Sequence, residues 1–329
     1  MAPCGGVAAQ PDAATLTPPA FPPQIVVHRE GGQPSDTGAA FVLGDAGMVL
    51  ARVASVGTGM GEVELRTAGG AYVPGEVHGY ELWTGVLLAR APDSLGTGPA
   101  VDWDYGPEYG DPVWIVGCPG AGPTEWRSAV VSDPATYGGT TGATMYWPLG
   151  VFEIDVPFDA SLRGAPVVDR RGMVVGQYVG GVHYYPELSR VVLMSVLRPA
   201  IDEVTEVAGE VLHGRAGFRT RAIRHTDAAG TQTGGECRIQ RVETGSPAAV
   251  AGLRDGDVLL SVNGGPPPQF LDFIDFTGRC RPGDAMALVV ERDGEPVEIR
   301  FSLAVDPTLK LRRVREEAER DGTADPVLW

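Results

Sequence analysis

The sequence lacks long apolar runs, basic charge and clustered cysteines, and each shortage excludes a class of protein. No run approaches the roughly 18 apolar residues of a membrane-spanning helix, so no membrane span is predicted. Lysine and arginine total 26 against 42 aspartates and glutamates, and the resulting net charge of -16 repels phosphate backbones, which argues against nucleic-acid binding. The four cysteines match no metal-ligand spacing, and we predict neither a metal nor a cofactor.

Helical periodicity is scarce, whereas glycine and proline are abundant. The 46 glycines and 28 prolines separate many short β-prone runs, which is typical of strands joined by tight turns. A length of 329 residues is long for one core, so two domains are expected. The predicted divisions are a disordered leader or linker at 1–23, a first domain at 24–208, a second domain at 209–305 and a charged helical tail at 306–329.

The first domain reads as a series of short strands followed by one helix. Strands are predicted at Gln24–His28, Gly38–Leu43, Met48–Val53, Val63–Thr67, Glu76–Tyr80, Gly85–Ala89 and Pro112–Val116. The amphipathic helix is predicted over Ser195–Glu206, with Pro199 in its first turn.

The first domain also contains a predicted tight turn at Ser161-Leu162-Arg163-Gly164-Ala165-Pro166. Two apolar runs follow it, one on each side of Asp169-Arg170-Arg171-Gly172, and this order is the pattern of a hairpin. This stretch resembles the nucleophile loop of the HtrA (Deg) family of trypsin-like serine proteases, which reads Gly-Asn-Ser-Gly-Gly-Pro. The hairpin Gly38–Leu43 and Asp45–Leu50 is similar to the family's Gly-Ser-Gly-Phe-Val-Ile, Asp-Gly-Tyr-Ile-Leu. The resemblance implies an all-β fold, a trypsin-like double β-barrel followed by a PDZ domain.

The three catalytic positions of the family are changed in this sequence. In the matching frames the nucleophilic serine falls on Arg163, the histidine on Ala54 and the aspartate on Gly85. A guanidinium is not a nucleophile at neutral pH, alanine accepts no proton, and loss of a triad serine or histidine costs on the order of 10⁶ in turnover. The resemblance therefore implies a pseudoprotease, a protease homologue without catalysis.

Two alternatives stay open at this position. The protein is either inactive or an active HtrA-like serine endopeptidase with a displaced site, for which Ser161 and Ser55 are the nearby hydroxyls. The backbone amides around Ser161 and Arg163 are a hypothetical anion pocket for a carboxylate; otherwise the Arg163 side chain fills the cleft or forms a surface ion pair.

The second domain carries the more specific pattern. The PDZ signature is resembled by two stretches, Gly245-Ser246-Pro247-Ala248-Ala249-Val250-Ala251-Gly252-Leu253 and Asp255–Gly264. Their local chemistry predicts a short capped helix that stops at Gly252. It also predicts a strand over Val258–Val262 and a turn at Asn263-Gly264. Ala285–Glu291 and Val297–Ala304 are predicted to form a final hairpin. The resemblance implies a peptide groove whose residues are Arg215, Ala216, Gly217 and Phe218 in the carboxylate loop and Leu271 and Ile274 on a helix over Leu271–Gly278.

These features predict a protein that binds peptides or protein C-termini through a PDZ groove, in a scaffolding, regulatory or quality-control role. The expected partners also include further copies of the chain or an active relative. A periplasmic or secreted location is expected, with a signal peptide missing from the given start, and a cytoplasmic one is the alternative. Cys237 and Cys280 are either free thiols or, after export, a disulfide. The apolar end Val327-Leu328-Trp329 either docks in a PDZ groove or is unstructured.

Overall fold

The computed structural model describes residues 24–28, 34–44, 47–52, 63–66, 70–90, 95, 97–118, 122, 124–136, 150–182, 185–226, 232–266 and 280–305. The chain divides into two compact units, the first ending at Val211 and the second beginning at Leu212. Within the described ranges, 21 strands and two α-helices are present, so the all-β prediction is confirmed.

The first unit begins with an antiparallel sheet. Its strands are β1 Gln24–His28, β2 Pro34–Ala39, β3 Phe41–Leu43, β4 Met48–Arg52, β5 Val63–Arg66, β6 Tyr72–Glu81 and β7 Val86–Arg90. They are ordered β2-β1-β5-β6-β7-β4-β3. Because only Ala40 separates β2 from β3 in the chain, the two ends of this order are covalently adjacent, and the sheet curls round on itself.

The second sheet of the first unit is a closed six-stranded barrel. Its strands are β8 Pro112–Gly117, β9 Glu125–Thr136, β10 Val151–Ile154, β11 Pro166–Val168, β12 Val174–Val182 and β13 Tyr185–Leu193, ordered β10-β13-β12-β11-β8-β9. Along β8, Val113 and Ile115 join one apolar cluster while Trp114 and Val116 join another that also contains residues of the first sheet and of the following helix. Both faces of this strand are buried, so its sequence is apolar throughout and does not alternate.

The helix α1 spans Met194–Val207 and buries Met194, Leu197, Ala200, Ile201 and Val204 at the spacing of one helical face. Pro199 lies inside the helix, not in its first turn as predicted, because the helix starts at Met194. Ala208 ends it in a left-handed conformation, with φ of 51°. The short strand β14, Glu210–Val211, then pairs in parallel with the end of β6.

The second unit contains β15 Gly214–Arg215, β16 Arg219–Thr226, β17 Gln232–Gln240, α2 Pro247–Val250, β18 Val258–Val262, β19 Ala285–Arg292, β20 Glu295–Ser302 and β21 Ala304–Val305. Strands β16 to β20 form one antiparallel sheet in chain order, and β15 pairs with β21. The predicted cap is present, since the Ser246 hydroxyl accepts a hydrogen bond from the Ala249 amide at 3.2 Å. The predicted strand and final hairpin of this unit are confirmed as β18 and as β19 with β20.

Several predictions concern residues outside the described ranges: the leader, the helix carrying Leu271 and Ile274, and the tail. No disulfide joins Cys118, Cys237 and Cys280, the three cysteines that the structure describes, so of the two alternatives for Cys237 and Cys280 the structure has the one without a disulfide. In the described ranges no helix is long and apolar enough to cross a membrane, and no three metal-ligating side chains cluster.

Candidate functional site

The turn before β11 contains Ser161 and Arg163, and the sequence predicts the nucleophile position of the family at Arg163. Residues Ala160–Leu162 form one turn of 3-10 helix, and the carboxylate of Asp159 caps it. Every backbone N–H from Ser161 to Ala165 donates a hydrogen bond within the domain. The acceptors, in order, are the Asp159 carboxylate at 3.0 Å, the Asp159 carbonyl at 3.1 Å, the Ala160 carbonyl at 3.2 Å, the Tyr178 carbonyl at 2.8 Å and the Leu162 carbonyl at 2.9 Å.

An oxyanion site needs at least two N–H groups that aim at an empty position. Since all five amides of the turn already have acceptors, the hypothesis of an amide-lined anion pocket at Ser161 and Arg163 is wrong for this structure. The anion that the turn does hold is its own Asp159 side chain.

Ser161 has a carboxylate as its neighbour. Its hydroxyl donates to Asp159 at 2.6 Å, and Arg127 donates to the other oxygen of that carboxylate at 3.1 Å. The hydrogen bond from Ser161, together with Arg127 and against the effect of burial, lowers the pKa of Asp159. A carboxylate with a lowered pKa holds the serine proton poorly, so this pair is a weak general base.

Histidine is absent from this neighbourhood as far as the described side chains show. Of the five histidines, the structure describes the side chains of His78 and His213. The His78 ring lies 3.0 Å from the Thr205 carbonyl of α1, and His213 contacts Arg281 in the second unit. The hydrogen bond of Ser161 is made to Asp159 and not to the His78 ring, so the described part of the first unit shows no serine–histidine pair at this turn.

Arg163 is the residue predicted to stand at the nucleophile position. Its guanidinium lies over the Phe158 ring, 5.4 Å from the centroid, and that ring stacks on Tyr178 at 5.7 Å. The backbone carbonyl of Arg163 accepts a hydrogen bond of 2.9 Å from Ala39, at the end of β2. The turn is thereby tied to both sheets of the first unit, and the side chain is held by a cation-π contact.

A second arginine lies deeper. Arg52, at the end of β4, is fully buried and donates to the Gln177 side-chain oxygen at 3.1 Å. The same Gln177 amide donates to the Gly164 carbonyl at 3.0 Å, which connects β4 through β12 to the turn. Burial lowers the pKa of Arg52 to about 9, Glu81 opposes that change and Arg163 adds to it. Arg52 therefore remains a cation at neutral pH, inside the domain.

The other two residues predicted to stand at catalytic positions are Gly85 and Ala54. Gly85 adopts a left-handed conformation, with φ of 71°, in the turn between β6 and β7. The acid of that segment is Glu81, four residues earlier, and its carboxylate accepts from the amides of Trp83 and Thr84 and from the Thr84 hydroxyl. Ala54 is outside the described residues.

Sequence reasoning missed most of the groups that define this site: Arg52, Glu81, Phe158, Asp159 and Gln177. The sequence did contain one signal for Arg52. The run Met48–Ala51 is apolar without alternation, as in a strand buried on both faces, and Arg52 continues this strand as a charged residue. Asp159 could have been found as a capping residue before the Ala160–Leu162 turn. No local pattern marks Gln177, which meets Arg52 from 125 residues away.

The predicted carboxylate loop of the second unit has a different hydrogen-bond pattern. Gly217 has φ of 83°, and an added Cβ would lie 2.2 Å from the Cβ of Ser246, so only glycine fits. The carbonyls of Ala216 and Gly217 accept from Ala248 and Glu243 at 3.1 and 2.9 Å. Among the described residues, no acceptor is found for the N–H groups of Ala216 and Gly217.

The remaining predicted groove residues are placed in part. Arg215 forms an ion pair with Glu243, and half-buried Phe218 packs on the core of the second unit. Strand β16 follows directly and lies at the edge of its sheet, where only β17 pairs with it among the described strands. Leu271 and Ile274 lie outside the described residues, so this structure does not test their pairing with the loop.

Comparison with known proteins accounts for the fold. The family model described as PDZ domain matches residues 214–303. The chain resembles the solved "HtrA-type protease AlgW with tripeptide", with a TM-score of 0.75 and 19% identity over 90% of this chain and 98% of that one. It also resembles the serine endoprotease from Yersinia pestis, with a TM-score of 0.71 and 15% identity over 90% and 99% of the two chains. The fold is thus a trypsin-like double β-barrel of the HtrA type followed by a PDZ domain, as predicted.

Curated relatives are similar in sequence over part of their length. The chain is 26% identical over 245 residues to a "Probable periplasmic serine endoprotease DegP-like" of Brucella suis biovar 1 (strain 1330), covering 72% of this chain and 46% of the relative. A protein of the same description from Pseudomonas fulva (strain 12-X) is 26% identical over 160 residues, covering 47% and 33%. The chain spans less than half the length of these relatives. They support the predicted resemblance to HtrA/DegP-like serine proteases that carry a PDZ domain.

Proposed function

We propose that this protein is a non-catalytic HtrA-like protein that binds peptides or protein C-termini through its PDZ domain. The observation that carries the proposal is the turn at Asp159–Ala165. It has an arginine at the predicted nucleophile position, and its N–H groups from Ser161 to Ala165 all donate hydrogen bonds within the domain. Its role would be scaffolding, regulation or protein quality control.

Three features of the first unit support the absence of catalysis. Arg163 and Gly85 supply neither a nucleophile nor an orienting acid. Ser161, the nearest hydroxyl, is bonded to a carboxylate of lowered pKa. The buried cation of Arg52 would also raise the cost of forming an imidazolium nearby, because like charges repel strongly where water is excluded.

Peptide binding is supported by the second unit. Among the described residues, the N–H groups of Ala216 and Gly217 have no acceptor and one edge of β16 has no partner strand. Such N–H groups suit a C-terminal carboxylate, and such an edge suits a peptide added as a further strand. Main-chain hydrogen bonds of this kind provide affinity with little dependence on the peptide sequence, and side-chain pockets provide the selectivity.

Labelling with a fluorophosphonate probe, beside casein digestion, tests the first half of the proposal. The wild-type protein should neither label nor cleave casein. The Arg163→Ser variant should also fail, because a serine there would face no described histidine and no free amides. Peptide titration tests the second half: a peptide with a free apolar C-terminus should bind, and the same peptide amidated at its C-terminus should not.

Active HtrA-like proteolysis with a displaced site is the second candidate, since the similar proteins are named as endoproteases. Ser161 is the hydroxyl that this candidate requires. Labelling of the wild-type protein that disappears in Ser161→Ala would establish the second candidate and overturn the first.

The name of the curated relatives supports a periplasmic or secreted location, which we propose for this chain as well. We further propose that the chain associates with copies of itself or with an active relative. Fractionation of cells and size-exclusion chromatography of the purified protein test these two statements.

A further inference from the structure

The side chain of Arg163 is a half-buried cation, and its Nε is buried without an acceptor among the described residues. Other half-buried arginines of the described ranges have a counterion. Arg127, Arg190 and Arg292 pair with carboxylates at distances from 2.6 to 3.3 Å. A buried donor without an acceptor is uncommon in a folded protein, so the exception at Arg163 points to a ligand.

The two carboxylates described at this site are engaged by other groups. Asp159 caps its own turn and accepts a hydrogen bond of 3.1 Å from Arg127. Glu81 favours the charged form of the buried Arg52. Within the described part of the first unit, the charge of Arg163 is therefore left over after these charges have been matched.

A second cation adds to the positive potential at this position. The Cγ of Arg52 lies 3.1 Å from the point where a Cβ on Gly164 would stand, so the Arg52 side chain passes beside the residue that follows Arg163. Burial lowers the pKa of Arg52, Glu81 opposes this effect, and the charge of Arg163 adds to it. The two arginines thus repel each other. An anion at Arg163 offsets that repulsion, and a doubly charged anion offsets it more than a singly charged one.

The surroundings hold the Arg163 cation in one place. The Phe158 ring lies on one side of the guanidinium, with its centroid 5.4 Å away, and that ring stacks on Tyr178 at 5.7 Å. The backbone carbonyl of Arg163 accepts a hydrogen bond of 2.9 Å from Ala39. A guanidinium fixed in this way loses less conformational entropy when it binds, so its contacts yield more affinity.

We propose that Arg163 is the centre of a binding site for a small dianionic oxyanion of the phosphate or sulfate class. Two N–H groups of the guanidinium donate to two oxygens of one anion, and Arg52 attracts the anion from inside the domain. The guanidinium is the donor here, because the N–H groups of the turn from Ser161 to Ala165 already have acceptors. The site binds an ion and needs no peptide, so it goes beyond the PDZ groove and does not depend on it.

The test titrates the full chain with inorganic phosphate at a mildly alkaline pH, where phosphate is a dianion, and with acetate as the singly charged comparison. Sodium chloride keeps the ionic strength constant. Binding is followed by the Nε–H resonance of Arg163 in nuclear magnetic resonance spectra. The resonance is identified by its loss in Arg163→Gln and again in Arg163→Lys, which keeps the positive charge.

Phosphate should shift the Arg163 resonance and bind at least about tenfold more tightly than acetate. Calorimetry should show that Arg163→Gln weakens phosphate binding at least about tenfold. Arg163→Lys should also weaken it, because an ammonium lacks the paired N–H groups. Arg170→Gln removes the same charge from an exposed position of the same unit and should bind phosphate normally. Gly217→Ala should also bind it normally, so failure of the PDZ groove and failure of this site are distinguished.

Glycerol 2-phosphate, in place of phosphate, separates two sources of the same anion. Weaker binding than that of phosphate assigns the site to a free ion, and equal or tighter binding assigns it to the phosphate group of a larger molecule. Both results support a dianion at Arg163.

Three results would each overturn the proposal: no shift of the Arg163 resonance with phosphate up to about 10 mM, equal affinity for phosphate and acetate, or unchanged phosphate affinity in Arg163→Gln. The urea unfolding midpoint of Arg163→Gln, followed by tryptophan fluorescence without phosphate, verifies that the variant is folded. It should be no lower than that of the wild type, since the backbone bonds of the turn do not involve the side chain. If the variant does not fold, the wild-type comparison of phosphate with acetate still decides the question.

Discussion

Replacing the buried Arg52 by methionine should destabilise the first unit, and the loss should be recovered when Glu81 is replaced as well. Arg52 and Glu81 are 0% and 1% exposed, so each charge depends on the other inside the domain. Breaking a buried pair by removing one partner costs about 3–5 kcal/mol, whereas replacing both partners by uncharged groups is often neutral or stabilising.

The lowered pKa of Arg52 indicates how much burial disfavours its charged form. Its fall from the ordinary value of arginine to about 9 corresponds to roughly 5 kcal/mol against the charged form, even with Glu81 present. Arg52→Met removes this term, but it leaves the Glu81 carboxylate buried without its cation and the Gln177 oxygen without its donor. We expect Arg52→Met and Glu81→Gln each to lower the free energy of unfolding by about 3 kcal/mol. The free energy of unfolding of the double variant should lie within about 1 kcal/mol of the wild-type value.

Urea unfolding followed by tryptophan fluorescence measures these values for the first unit. The six tryptophans are Trp83, Trp103, Trp114, Trp126, Trp147 and Trp329, and the segment 212–311 contains none, so the signal does not report on the PDZ domain. The exposed pair Arg198 and Asp202, with side chains 57% and 68% exposed, is the matched control. Its double-variant cycle should give a coupling of only about 0.5 kcal/mol.

Additive losses would refute the reasoning. If the double variant Arg52→Met/Glu81→Gln loses about 6 kcal/mol, the sum of the two single losses, then the buried charges do not stabilise each other. A single variant Arg52→Met as stable as the wild type would show instead that Glu81 is fully satisfied by the turn at Trp83 and Thr84.

Three further predictions concern the turns. Gly164→Ala should lower the free energy of unfolding, measured in urea, by at least about 2 kcal/mol more than Gly110→Ala does. Both glycines have φ of 90°, but only at Gly164 would an added Cβ lie 2.3 Å from a backbone carbonyl oxygen. Because the pKa of Asp159 is lowered in the folded state, its carboxylate stabilises the fold above the ordinary pKa of about 4, and this stability is lost as the pH falls through the folded pKa. Asp159→Asn should therefore be less stable than the wild type at neutral pH and equally stable in strong acid. A urea midpoint with the same pH dependence in both proteins would contradict this. Gly217→Ala should weaken binding of a peptide with a free C-terminus at least about tenfold in calorimetry, whereas Gly245→Ala, with φ of 78° and nothing within 4 Å of its Cβ, should bind normally.

The PDZ domain was readable from the sequence because its signals are local. Ser246-Pro247 starts α2, Gly252 ends it with φ of 91°, and Asn263-Gly264 forms a turn with φ of 48° and 78°. Each is a backbone requirement that one or two residue types meet, so the pattern survives without knowledge of the tertiary contacts. The strands of both units were found for a similar reason, since short apolar runs between glycines and prolines have few other structures available.

The chemistry of the first unit was decided by tertiary structure. The sequence by itself predicted that Arg163 stands at the nucleophile position, and nothing in its neighbours indicated whether the N–H groups of the turn would have acceptors. The Asp159 cap and the Tyr178 carbonyl engage those amides, and Tyr178 is contributed by a different strand.

The buried cation of Arg52 depends even more on the fold. It meets Gln177 only because β4 and β12, from the two sheets of the first unit, approach each other at the turn. Contacts between residues more than 100 positions apart leave no periodicity in a single sequence, whereas strands, caps and turns do. The sequence alone therefore predicted the fold and aligned Ala54, Gly85 and Arg163 with the family's catalytic positions, and tertiary packing decided which charges are buried together and which N–H groups of the turn already have acceptors.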